Sequence, residues 1–123
     1  MTKTQKRIKF MQKFAQLVQF AKVYGIEFII TDFNRTASRQ KELYDAGKSK
    51  CDGVNSRSKH QDWLAIDICI VKENDVLVWN RTADYEKLGK QWKVLGGIWG
   101  GDWESLNDIY HFQAGETSEW FQS

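Results

Sequence analysis

One short run constrains the fold more than any other: Leu64-Ala65-Ile66-Asp67-Ile68-Cys69-Ile70 places a carboxylate at the centre of an apolar strand. Strand side chains alternate between faces. Leu64, Ile66, Ile68 and Ile70 therefore share one face, which must be the core, while Ala65, Asp67 and Cys69 share the other. An Asp67 buried there without a partner would cost several kcal/mol. Two arrangements satisfy it: an ion pair with Arg or Lys on an exposed face, or a metal seated in the concavity left by its small neighbours.

The rest of the chain supplies the elements around this strand. Residues 4–24 read as one amphipathic helix, with Ile8, Met11, Ala15, Val18 and Lys22 at 3-4 spacing and Phe10, Phe14, Leu17 and Ala21 widening the stripe. Gly25 ends it. Residues 26–33 form a buried strand, and Thr36 or Ser38 caps a second helix that runs to Ala46. Residues 48–58 form a polar loop, and residues 76–79 complete a hairpin with the Asp67 strand. A third helix spans 83–95, and a short strand spans 109–113. Without a βαβ rhythm, this order predicts an α+β domain: about three helices on a small, mostly antiparallel sheet. The 123 residues, 41% of them hydrophobic, are expected to form one domain over 1–123, a monomer.

Charge excludes little. The net charge is +2, but Lys3, Lys6, Arg7, Lys9 and Lys13 crowd the first helix, and no Lys or Arg follows Lys93. A basic helix can touch an anionic surface or simply face solvent. The start lacks the continuous apolar run of a signal peptide, and no segment is apolar enough to insert in a membrane. Cytoplasmic synthesis is the expectation. Cys51 and Cys69 make no disulfide framework and no CxxC pair.

The chain has two histidines, His60 at the mouth of the Asp67 strand and His111 in the last one. Three protein ligands and one open position make the catalytic zinc pattern, and His, His and Asp suit that metal. Asp108, three residues before His111, stands where a general base would take a proton from an activated water.

The local sequence adds to this. SKHQDWLAID, followed downstream by DIYHF, resembles the zinc peptidases of the D-alanyl-D-alanine carboxypeptidase and L-alanyl-D-glutamate endopeptidase family, which includes vancomycin-resistance D,D-peptidases and phage endolysins. Ser58, His60, Ala65 and Asp67 match its Ser-x-His-x-x-Gly-x-Ala-x-Asp motif; Asp108 and His111 match its acid-x-x-His. NRTASRQKELY and GIWGGDW resemble two further segments of the endopeptidase branch. Trp63 departs from the pattern, standing where the family has glycine.

The resemblance implies one zinc ion on His60, Asp67 and His111, with Asp108 as base and Arg35 stabilising the oxyanion. It also implies that Ser58 and Gln40 bind substrate or orient ligands. Cys69 and the aromatic Trp99 and Trp103 could line the cleft. The implied activity is cleavage of the peptidoglycan stem peptide, most like an L-alanyl-D-glutamate endopeptidase of phage lysis. Such an enzyme would act on the wall after release, with a membrane-disrupting partner. Two rivals remain: a D-alanyl-D-alanine carboxypeptidase or dipeptidase on the same site, and a non-catalytic module binding cell wall or nucleic acid.

Overall fold

The computed structural model describes residues 1–53, 58–116 and Trp120. Residues 54–57 of the expected 48–58 loop lie outside that set. Three α-helices, α1 (Lys3–Val23), α2 (Ala37–Asp45) and α3 (Ala83–Val94), accompany five strands. These are β1 (Glu27–Asp32), β2 (Ala65–Lys72), β3 (Val76–Val78), β4 (Ile98–Trp99) and β5 (His111–Gln113). The sheet runs β1-β2-β5-β4, with β3 beside β5 on the same edge of β2, and every pairing is antiparallel. This is the α+β arrangement expected from the sequence.

The first two helices start at side-chain caps. Thr2 and Gln5 form a reciprocal capping box on α1, and Thr36 Oγ1 accepts from Arg39 N on α2. The buried face of α1 differs from part of the expected stripe. Phe10, Phe14, Leu17 and Ala21 are buried, whereas Ile8, Met11 and Val18 are 53%, 44% and 44% exposed. The helix carries two apolar stripes, and the larger aromatic one takes the core. Phe10 meets Trp92 edge-on at 5.7 Å, and Phe14 meets Phe28 at 6.0 Å. Aromatic rings bury more area per residue and gain specific edge contacts, so they win the register.

Leu64, Ile66, Ile68 and Ile70 are buried, as alternation requires. Ala65 and Cys69 are buried too, so Asp67, with a side chain 20% exposed, is the point where the second face of β2 opens. The last strand begins at His111; Ile109 and Tyr110 belong to the turn before it. Strand β4, two residues long, is too short to leave a periodic signal in the sequence.

Candidate metal centre

Three strands deliver one row of side chains. His111 lies opposite Asp67 in the β2–β5 ladder, and Asp32 lies opposite Asp67 in the β1–β2 ladder. Directly opposed residues of an antiparallel pair point to the same face. Asp32 reaches that row only because the register shifts between Ile30 and Asp32, which leaves Thr31 as an extra residue. Such bulges re-aim side chains beside functional sites.

His60 enters from a single 3-10 turn, Lys59–Asp62, that precedes β2. Ser58 caps it: Ser58 Oγ accepts from His60 N at 3.2 Å, and Ser58 N donates to Gln61 Oε1 at 2.9 Å. Trp63 then adopts φ 62°, ψ 32° and turns the chain into β2. The family's glycine stands at this left-handed position; here a tryptophan occupies it, braced by Phe33 at 5.7 Å and the Arg7 guanidinium at 5.6 Å. Part of the basic face of α1 is thus spent on this turn. Arg7 Nε also donates to Asp62 O, and Lys3 pairs with Asp62.

The ring hydrogen bonds fix which nitrogens face inward. His60 Nδ1–H donates to Phe33 O at 2.9 Å, leaving Nε2 a lone pair. His111 Nε2–H donates to Gln113 Oε1 at 2.8 Å, leaving Nδ1 as the inward atom. These two atoms and Asp67 Oδ1 form a triangle with edges of 3.2, 3.3 and 3.1 Å. Tetrahedral zinc with bonds near 2.0–2.1 Å separates its ligand atoms by about 3.3 Å. The donor set therefore fits the ion in chemistry, in edge length and in burial, since His60 and His111 are both buried.

Three acceptors converge on one point. Burial opposes charging His111, but the hydrogen bond and charge of Asp67 outweigh it and raise the His111 pKa. Burial likewise opposes the Asp67 carboxylate, yet the His111 and His60 rings beside it hold its carboxyl well below the usual range.

Around the triangle, Asp67 Oδ2 faces Arg35 at 3.6 Å. Arg35 is held by Asp32 Oδ2, which accepts from Nη2 at 2.6 Å and Nε at 3.1 Å, and by Gln40 Oε1, which accepts from Nη1 at 2.7 Å. Gln40 is fully buried and does not line the cleft. Its amide nitrogen donates to Ser49 Oγ and Cys51 O, so Gln40 acts through Arg35 and the loop, not by touching a ligand. Ser58 does line the cleft, but its hydroxyl is engaged in holding His60.

Asp108 lines the cleft beside the triangle; burial first, then the Asp67 charge, raise its pKa. Gly100 makes its position attainable. Asp108 N donates to Gly100 O at 2.9 Å, and a Cβ on Gly100 would overlap the Asp108 carbonyl and crowd His111 Cβ. The cleft encloses about 480 Å³. Trp103 lines it and packs 4.9 Å from the His111 ring, whereas Trp99 is a core residue bonded to Ile109 O. Cys69 is buried away from it, with Sγ 3.5 Å from Val78 O. Sequence reasoning missed Asp32 and Gln113. Nothing local marks either; the bulge and the strand register bring them in.

A buried His-His-carboxylate triangle flanked by a second acid and a fixed guanidinium is the donor arrangement of hydrolytic zinc proteins. Residues 52–114 match the M15 peptidase family described as D-alanyl-D-alanine carboxypeptidase, and the chain belongs to that family. The peptidoglycan L-alanyl-D-glutamate endopeptidase CwlK of Bacillus subtilis (strain 168) is 32% identical over 102 residues, covering 72% of this chain and 61% of CwlK. The chain thus spans about three fifths of that relative's length. Among solved structures, the Serratia marcescens L-Ala D-Glu endopeptidase ChiX aligns with a TM-score of 0.61 and 26% identity, over 80% of this chain and 75% of ChiX. The D,D-pentapeptidase VanY of a VanB-type resistance cassette, solved with Zn(II), shares the fold at a TM-score of 0.62 and 20% identity, over 86% of this chain and 70% of VanY.

Proposed function

We propose that this protein is a zinc-dependent peptidoglycan peptidase that hydrolyses the stem peptide between L-alanine and D-glutamate. The observation that carries the reading is the ligand triangle with Asp108 and Arg35 beside it in one cleft. His60 Nε2, His111 Nδ1 and Asp67 Oδ1 would hold one zinc ion. When bound, zinc supplies a Lewis acid that acidifies a water and polarises the scissile carbonyl.

The chain's own groups do the rest. Asp108 accepts the proton of the attacking water and passes it to the leaving amine; its raised pKa makes it a stronger base than an ordinary carboxylate. Arg35 faces the charge that develops on the carbonyl oxygen. Three of its five N–H groups are committed to Asp32 and Gln40, and Asp67 Oδ2 lies 3.6 Å from Nη2. Because those bonds fix the guanidinium beforehand, it need not reorganise during the reaction. We place the whole activity in one catalytic domain, working as a monomer on the wall after release by a membrane-disrupting partner, as in phage lysis. Among the described residues no helix is long and apolar enough to cross a membrane.

The endopeptidase similarity of CwlK and ChiX favours this bond. The family description favours a second reading on the same site, removal of a terminal D-alanine. Mass spectrometry of purified muropeptides, with and without a zinc chelator, separates them. Chelator-sensitive loss of L-alanine from the stem peptide supports the endopeptidase, and loss of D-alanine alone supports the carboxypeptidase. No cleavage by zinc-loaded protein refutes both.

A further inference from the structure

Four surface lysines of this protein sit tightly against a carboxylate. Lys3 pairs with Asp62, Lys41 with Asp45, Lys72 with Asp84 and Lys93 with Asp102. The lysines at the cleft differ. Among the described residues Lys48 has no ion-pair partner, and Lys50 reaches Ser105 Oγ, a neutral acceptor. Lys59, also at the cleft, lies a loose 3.8 Å from Glu116. Four cations (these three and Arg35) face three carboxylates in the lining, before any divalent metal adds its charge.

The segment bearing Lys48 and Lys50 is anchored. Lys48 N donates to Leu43 O at 2.8 Å. Gln40 Nε2 donates to Ser49 Oγ at 2.6 Å and to Cys51 O at 2.7 Å, on either side of Lys50. The same Gln40 side chain accepts from Arg35, so one buried amide ties the lysine segment to the guanidinium beside the metal triangle. The spacing between the two is therefore built into the fold.

We propose that Lys48 and Lys50 form a carboxylate-binding subsite that recognises a free carboxylate on the residue supplying the leaving amine. This rests on the peptidase reading above. A glutamyl residue in peptide linkage keeps one carboxylate free, whichever of its carboxyls continues the chain. Amidation removes that charge and leaves the size almost unchanged. The subsite thus distinguishes a glutamate from its amide.

The test uses zinc-loaded protein and two peptides, an N-acetyl-L-alanyl-D-glutamyl peptide with its free carboxylate and the same peptide amidated there. The acid should have a KM about tenfold lower than the amide, the scale of one charge-assisted contact. Lys48→Gln/Lys50→Gln should abolish that preference through KM, Lys50→Arg should keep it, and added salt should narrow it. Cleavage of both peptides by the wild type at equal KM overturns the subsite and leaves the peptidase standing. If neither is cleaved, the peptidase reading fails, and calorimetric binding of the two peptides decides the subsite separately. Acid-selective binding that the double variant loses upholds it; equal binding, or none, overturns it.

Discussion

Replacing Gln113 with alanine should loosen the metal without removing any ligand. Gln113 Oε1 accepts from His111 Nε2 at 2.8 Å and so keeps the lone pair on Nδ1, the atom aimed at Asp67 and His60. His111 is only 7% exposed, which limits access of a replacement water. Without the acceptor, the ring gains by moving its proton to Nδ1, where Asp67 accepts it and the proton blocks the metal. Losing an outer-shell partner of this kind costs about 10- to 100-fold in metal affinity, or about 1.4–2.8 kcal/mol. Competition against a chromophoric chelator measures the zinc Kd directly, and thermal melting of the apo form confirms that the fold survives. Gln113→Glu keeps an acceptor and should hold zinc at least as tightly as the wild type. A folded Gln113→Ala with a Kd within about twofold of wild type would refute the reasoning.

Other perturbations separate the roles. Asp108→Asn should retain stoichiometric zinc and lose about 10²- to 10⁴-fold in kcat; full activity would remove Asp108 as the base. Zinc affinity should rise with pH, because the proton that His111 holds at a raised pKa must leave before the metal enters. In the apo protein the same pair supports a stability window. His111 contributes below its ordinary pKa, and the contribution is lost as pH rises through the raised folded value. Asp67 contributes above the ordinary carboxylate pKa, and that contribution is lost as pH falls toward its depressed folded value. Calorimetric titration and chemical unfolding across pH test both halves, and a flat profile contradicts them. At Trp63, Gly should be about 1 kcal/mol more stable than Ala, the reverse of the usual order. Both variants lose the contacts with Phe33 and Arg7, but only alanine keeps a Cβ at φ 62°. Equal unfolding free energies would show that the left-handed backbone is not strained.

The site was legible where chemistry and periodicity coincide. A carboxylate in an apolar strand, two histidines and an acid three residues before the second are marks carried by the sequence itself. The helper residues carry no such mark. Asp32 reaches Arg35 through a bulge, and one residue of register decides whether it faces the site at all. Gln113 lies two residues beyond His111 and would read as an ordinary polar strand residue. Gln40 fell inside a recognisable segment, but its role follows from burial behind Arg35, a long-range property. The α1 face was ambiguous because two apolar stripes compete on one helix, and only the partner rings on β1 and α3 choose between them. Trp63 was legible as a departure; its left-handed backbone explains why a glycine suits the position.

The most direct test of the account is a crystal structure of the zinc-loaded protein with anomalous data collected at the zinc edge. The account requires one anomalous peak at bonding distance, about 2.0–2.2 Å, from His60 Nε2, His111 Nδ1 and Asp67 Oδ1, with Asp108 alongside and unligated. A peak elsewhere, or zinc held with any of those three atoms turned away, would contradict it.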